Sequence, residues 1–248
     1  MSDFAFNHIG FGDILSHDTA YGLIWTGEYH GHQVVIKMIM LTSGIHYDKD
    51  TGTYFDGQNH QMATFEAELL MSHDDPKPWY HTLFKERRSM TPGAFLDEAH
   101  NYIYLSKYGL CPDMLGYGLF DHTANQLHYG FIVMERLDGV VKDILLKRLL
   151  SEEENRLVKQ AIENLHTKAQ VSHGDMKPSN IGVLLHKDGT IRQVKFIDLQ
   201  KIRHRSQISL QEFENAVRRD NLTFEHHVDK NIELDRKKSK RHSNKVPK

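Results

Sequence analysis

Apolar runs separated by turn residues open the chain. IGFGDILS, YGLIWTGEY and QVVIKMIM each carry strand-forming residues, and YHGH between the last two reads as a hairpin turn, so the first forty residues predict a small antiparallel sheet. Residues 41 to 94 are polar and irregular, punctuated by Gly44, Gly52, Gly57 and DDPKPW, with helical character only in MATFEAELLMSH. So long a stretch without a clear period is the pattern of an insertion. From Pro92 the pattern sharpens. FLDEAHNYIYLSKYGL predicts a helix ending at Gly109, and MLGYGLF and LHYGFIVME predict two strands joined by DHTANQ. SEEENRLVKQAIENLHTKAQ opens with a capping box, Ser151 with Glu154, and puts Leu157, Val158, Ala161, Ile162 and Leu165 on one helical stripe. The loop HGDMKPSN follows, then the strand IGVLL, the turn HKDGT and the strand IRQVKFIDL ending at Asp198. SLQEFENAVRRD predicts one more amphipathic helix through Leu210, Phe213 and Val217.

Composition narrows the function classes. With 248 residues, 39% of them hydrophobic, the chain can build a proper core. The single cysteine, Cys111, excludes an intramolecular disulfide, and no apolar stretch approaches the roughly 18 residues of a membrane span. The opening MSDFAFNHIGFGD lacks the pattern of a secretory signal, so a cytoplasmic protein is expected. The whole-chain charge of −2 hides an asymmetry: RKKSKRHSNKVPK at the end carries seven Lys or Arg and no acid, which leaves the other residues at −9. A globally basic nucleic-acid binder is therefore not indicated. Only the tail suits nucleic acid, an acidic partner or, through KKSKRH, nuclear import; its plain reading is a disordered solvated segment. The 18 histidines are scattered without metal-ligand spacing.

Within this framework six residues stand in the order that phosphoryl transfer from ATP requires. Lys37 in VVIK can meet nucleotide phosphates if a carboxylate holds it extended, and Glu98 on the next helix is the candidate partner, with Glu66 and Glu68 of FEAELL as rivals. Asp175 can orient an acceptor hydroxyl and receive its proton, and Lys177 can neutralise charge on the moving phosphoryl group. Asn180 and Asp198 offer the hard oxygen ligands that Mg²⁺ prefers. His173 reads as a structural histidine, because Asp175 already fills the role of base.

These residues carry a resemblance to the eukaryotic-type protein kinase superfamily. VVIK is similar to its strand lysine, HGDMKPSN to its catalytic loop and FIDLQK to its DFG segment, over about residues 10 to 202 without the insertion. The HGD form of the loop resembles vaccinia-related kinases and small atypical protein kinases, and also aminoglycoside and choline phosphotransferases. KPSN after the aspartate looks like the Ser/Thr protein kinase loop. The resemblance implies an α+β, two-lobed, protein-kinase-like fold: an antiparallel β small lobe over 1–137 with the insertion at 41–94, a truncated, mainly helical catalytic lobe over 138–235, and the basic tail at 236–248. ATP and Mg²⁺ would sit in the cleft. Gly22 would be the third glycine of the nucleotide-covering loop, with His17 and Thr19 where the family has the first two. Met134 would be the gatekeeper, and the backbones of Glu135 and Leu137 would meet adenine.

The implied reaction is transfer of the γ-phosphoryl group to protein Ser or Thr hydroxyls, with autophosphorylation. Only 50 residues follow Asp198 and no APE motif appears, so a protein partner that completes the shortened lobe is expected. Gly174, where many kinases have Arg, removes the usual partner of an activation-loop phosphate. Two other readings stand beside this one: a small-molecule phosphotransferase, suggested by HGD, and a pseudokinase scaffold, suggested by the eroded glycine loop and by DLQ in place of DFG.

Overall fold

The computed structural model describes residues 9–16, 22–41, 46–48, 53–55, 61–62, 90–122 and 127–243. The chain divides into two compact units, one of residues 1–100 and 113–136 and the other of 101–112 and 137–248.

The first unit is built on five antiparallel strands: β1 Ile9–Ser16, β2 Gly22–Tyr29, β3 His32–Leu41, β7 Met114–His122 and β8 Leu127–Glu135, in the order β1-β2-β3-β8-β7. His30 and Gly31 both take positive φ, 49° and 78°, as a two-residue hairpin turn requires, so β2 and β3 pair without slip from Gly22↔Ile39 to Tyr29↔His32. Leu23, Trp25, Val34, Ile36, Met38, Tyr129, Phe131 and Val133 form one hydrophobic cluster on this sheet. Three short strands, β4 His46–Asp48, β5 Thr53–Phe55 and β6 Gln61–Met62, pair within the segment expected to be irregular. Of the predicted helix at MATFEAELLMSH only Met62 is described, as the end of β6; the rest lies outside the described residues, as do His17 and Thr19.

Helix α1, Pro92–Ser106, starts as its sequence dictates, with Pro92 at the first helical position and Thr91 Oγ1 accepting the Ala94 N–H at 3.2 Å. It ends through Gly109 at φ 65°, with the Leu110 N–H returned to the Leu105 carbonyl at 3.3 Å. The unit division passes through α1, between His100 and Asn101. Phe95 is fully buried against Gly130, where an added Cβ would come within 2.6 Å of the ring. That close fit seats the N-terminal half of α1 on the sheet and leaves Glu98, one turn later, on the buried face.

In the second unit, the short strand β9 Gly139–Val140 and helix α2 Val141–Leu145 precede α3, Glu152–Thr167. The α3 capping box is present, Glu154 N–H to Ser151 Oγ at 3.2 Å and Ser151 N–H to Glu154 Oε2 at 2.9 Å. Strands β11 Ile181–Leu185 and β12 Ile191–Phe196 form a hairpin, β9 pairs with β11, and the two-residue strands β10 Val171–Ser172 and β13 Arg203–His204 pair with each other.

The last helix departs from expectation. It was expected over SLQEFENAVRRD but runs as α4 from Leu210 to Ser243, through the start of the basic segment expected to be disordered. A second capping box, Ser209 with Glu212, fixes its start. Between it and Pro247 there is no Gly or Pro, and Glu, Leu, Lys and Arg are good helix formers, so nothing in the backbone chemistry stops it at residue 220.

Candidate active site

In the first unit the site residues centre on one ion pair. Lys37 lies in the middle of β3, flanked by Ile24 of β2 and Ile132 of β8. Its Nζ donates to Glu98 Oε1 at 2.6 Å, with both side chains buried. The helix acid that pairs with Lys37 is thus Glu98; Glu66 and Glu68 lie outside the described residues. The other Glu98 oxygen, Oε2, is buried without a hydrogen-bond partner among the described residues.

Gly22 is the first residue of β2 and pairs with Ile39; a Cβ there would lie 2.5 Å from the Met38 carbonyl oxygen, which gives the glycine a packing reason of its own. Met134 is buried on β8 between Val35 and Met114. The Glu135 N–H is donated to the Asp113 carbonyl at 2.8 Å, so of the backbone groups expected to meet adenine this one is already used.

In the second unit the HGDMKPSN loop is held at both ends. His173 is fully buried, and its Nε2–H donates to the Ile197 carbonyl at 3.0 Å while Nδ1 has no partner among the described residues. Burial pushes its pKa down, so the imidazole is neutral and acts as a structural link between the loop and the end of β12. Asn180 donates from Nδ2 to the Asp175 carbonyl at 2.9 Å, which closes the loop on itself and turns Oδ1 into the free end of the amide. The Ile197 N–H donates to the Asn180 carbonyl at 3.0 Å, so the residue before Asp198 is tied directly to Asn180.

Asp198 was expected at the end of the strand, but β12 stops at Phe196. Asp198 takes the left-handed conformation, φ 61° and ψ 62°, and its N–H donates to the Tyr102 hydroxyl at 3.2 Å. A non-glycine residue held there costs energy that the surroundings must cover, a frequent feature of functional loops. The surroundings are the C-terminal half of α1. Asn101 Nδ2 donates to the Leu199 carbonyl at 2.9 Å, and the His204 Nε2–H donates to Asn101 Oδ1 at 2.9 Å. Leu199, in the place of the family's aromatic residue, is fully buried, so the apolar anchor survives the change to DLQ.

Asp175 lies between two lysines. Lys177 Nζ is 3.2 Å and Lys201 Nζ 3.5 Å from its Oδ2. Partial burial acts to raise the Asp175 carboxyl, but the two ammonium groups outweigh it and hold it below its ordinary value, ionised at neutral pH.

The residue that sequence reasoning missed is Asp220. Buried on α4, it accepts the His173 N–H at Oδ2 (2.7 Å), the Gly174 N–H at Oδ1 (3.0 Å) and the His166 Nε2–H at Oδ2 (3.1 Å). The signal was present, because Asp220 falls on the stripe of Phe213, Ala216 and Phe224, and an acid among apolar positions is rarely buried without partners. Asn101, Tyr102 and Lys201 were also missed.

The donor chemistry suits Mg²⁺, which takes oxygen ligands, keeps waters, and is bound by one or two protein groups together with substrate phosphates. Asp198 and Asn180 supply a carboxylate and an amide oxygen on backbones tied through Ile197. Among the described residues, no helix is long and apolar enough to cross a membrane.

No curated protein matches the chain. Residues 95–233 match the model of the lipopolysaccharide kinase (Kdo/WaaP) family, a protein-kinase-like family, and this match lends no support to the narrower likeness to vaccinia-related kinases. The matched stretch exceeds half of the chain and contains Glu98, the HGDMKPSN loop, Asp198 and Asp220. On that ground the chain is a member of the lipopolysaccharide kinase (Kdo/WaaP) family, with its α+β kinase-like fold and its ATP-dependent kinase activity.

Proposed function

We propose that the chain transfers the γ-phosphoryl group of ATP to an alcohol. The observation that carries this reading is the Asp175 carboxylate, ionised, ordered by the loop and flanked by Lys177. Lys37, held by Glu98, would take the nucleotide phosphates. Asn180 and Asp198 would hold Mg²⁺, which neutralises phosphate charge when bound. Asp175 would orient the acceptor hydroxyl and take its proton as the new O–P bond forms and ADP leaves, while Lys177 would stabilise the moving phosphoryl group.

For the acceptor, Lys177 and Pro178 favour a protein Ser or Thr, since KPSN resembles the protein kinase loop. The second reading is a sugar hydroxyl, favoured by the description of the family as lipopolysaccharide kinases. The test is transfer of label from γ-³²P-ATP with Mg²⁺ to a mixed protein substrate and, separately, to a sugar panel, with Asp175→Ala and Asp198→Ala in parallel. Label on either acceptor that both variants lose supports the reading. A folded wild-type protein that makes no ADP and labels nothing would overturn it in favour of a binding scaffold.

A further inference from the structure

Helix α4 buries one stripe, made of Phe213, Ala216, Asp220 and Phe224. Its outer surface is not uniformly polar. Leu210, Glu214, Arg218 and Leu222 recur every four residues, which sets them in one row along the helix. All four are exposed, and the leucines at the two ends of the row are 55% and 54% exposed. A single exposed leucine is ordinary; two that bracket an acid and a base in one row form a patterned face.

This row borders a groove. Its four residues, with the half-buried Val217, line a cavity of about 610 Å³ to which the end of α3 contributes Thr167. The helix that carries the row is fixed at two points. The Ser209–Glu212 capping box sets its first turn, and Asp220 ties its third to the backbone of His173 and Gly174. The face is therefore presented ready-made, with little backbone left to order on binding.

The sequence of chemistries along the row, apolar, acidic, basic, apolar, is complementary to itself when reversed. A two-fold interface puts residue i of one copy on residue j of the other and j on i. A second α4 laid antiparallel, with the axis passing midway between Glu214 and Arg218, brings Leu210 to Leu222 of the second copy at both ends and Glu214 to Arg218 of the second copy at both central contacts. Two apolar pairs and two opposite-charge pairs result, and no like charges face each other. A parallel copy would instead set Glu214 on Glu214 and Arg218 on Arg218, so the charges also select the direction. Within the chain, neither Glu214 nor Arg218 forms an ion pair among the described residues.

We propose that this face of α4 docks a second copy of the chain, as an antiparallel two-fold dimer in which each copy covers the groove of the other. The proposal is independent of the phosphotransferase reading above.

The test is sedimentation velocity of the full chain over about 1 to 100 µM, the range suited to an interface at the small end of the specific class. The wild type should shift reversibly from the mass of one chain toward that of two. Glu214→Arg and Arg218→Glu should each weaken association by about a hundredfold, because every substitution acts at two symmetric contacts and turns attraction into repulsion. An equimolar mixture of these two variants should associate again to within about tenfold of the wild type, since one chain is then basic and the other acidic at both central positions. Leu222→Asp should weaken association by about tenfold or more, with no rescue by either charge variant. All three positions are exposed, and circular dichroism checks that each variant keeps its helices. A wild type that stays a single chain at every concentration would overturn the proposal and leave the groove to a different protein. A dimer that the charge variants leave intact, or a mixture no better than its two components, would also overturn it.

Discussion

Asp220 shows how much one buried side chain can organise. Its two oxygens accept the backbone N–H groups of His173 and Gly174 and the ring of His166, so the stretch that leads to Asp175 is shaped by an acid on another helix. In Asp220→Ala the buried His173 N–H would be left unsatisfied, at about 1–3 kcal/mol, and the part-buried Gly174 N–H and the His166 ring would lose their acceptor. We expect a loss of about 2–5 kcal/mol in urea unfolding followed by circular dichroism, and a fall in kcat with the KM for ATP little changed, since Asp220 holds the loop and not the nucleotide. Unchanged stability together with unchanged kcat would refute this role. Lys37 was legible in the sequence because a lysine inside an apolar strand followed by a helix acid is a local pattern. Asp220 was not, because its meaning depends on donors 46 and 47 residues away that no local period reveals. Lys201 escaped for the same reason, since its partner Asp175 is met only after the β11–β12 hairpin has folded back.

At the scale of elements, strands and helix starts were read well where the chemistry is local. The β2–β3 hairpin followed from YHGH and the start of α3 from its capping box. Glu154 does more than cap: Arg148 holds it bidentately at 2.6 Å and the Ile191 N–H donates to it at 3.0 Å, so it joins the start of α3 to the start of β12. Mainly through Arg148, its pKa falls to about 2. A carboxyl depressed in the folded state contributes stability that is fully present above its unfolded pKa, near 4.3, and is lost as pH falls toward 2. The contribution at neutral pH is about 3 kcal/mol. We expect a Glu154→Gln variant to lose roughly that much in urea unfolding at pH 7, and the gap from wild type to narrow as the pH is lowered from 5 to 3. A gap constant across that range would rule out the ionised pair as its cause. The helix end was the weak point of the sequence reading. Stop signals are Gly and Pro, and α4 meets none before Pro247, so the apolar stripe ends long before the helix does.

For the whole molecule, the decisive property is that the family match takes in only one half of the Lys37–Glu98 ion pair. The matched residues 95–233 contain Glu98 but not Lys37, whose strand is placed by the sheet of the first unit. If both units serve one nucleotide, Mg-ATP must stabilise the chain through residues of each. At a hundredfold excess over its dissociation constant, a ligand that binds only the folded state adds about 2.7 kcal/mol. We therefore expect Mg-ATP to raise the thermal unfolding midpoint of the wild type by several degrees. Removing the metal with EDTA should cut most of that rise, because phosphates lose the bridge to Asp198 and Asn180. In Asp198→Asn the residual effect of ATP should persist but no longer respond to Mg²⁺, whereas in Lys37→Ala it should weaken with and without the metal. Losses confined to one variant would mean that a single unit carries the nucleotide. Losses in both, with only Asp198→Asn insensitive to metal, would divide the work as proposed: phosphate binding through Lys37 and metal binding through Asp198.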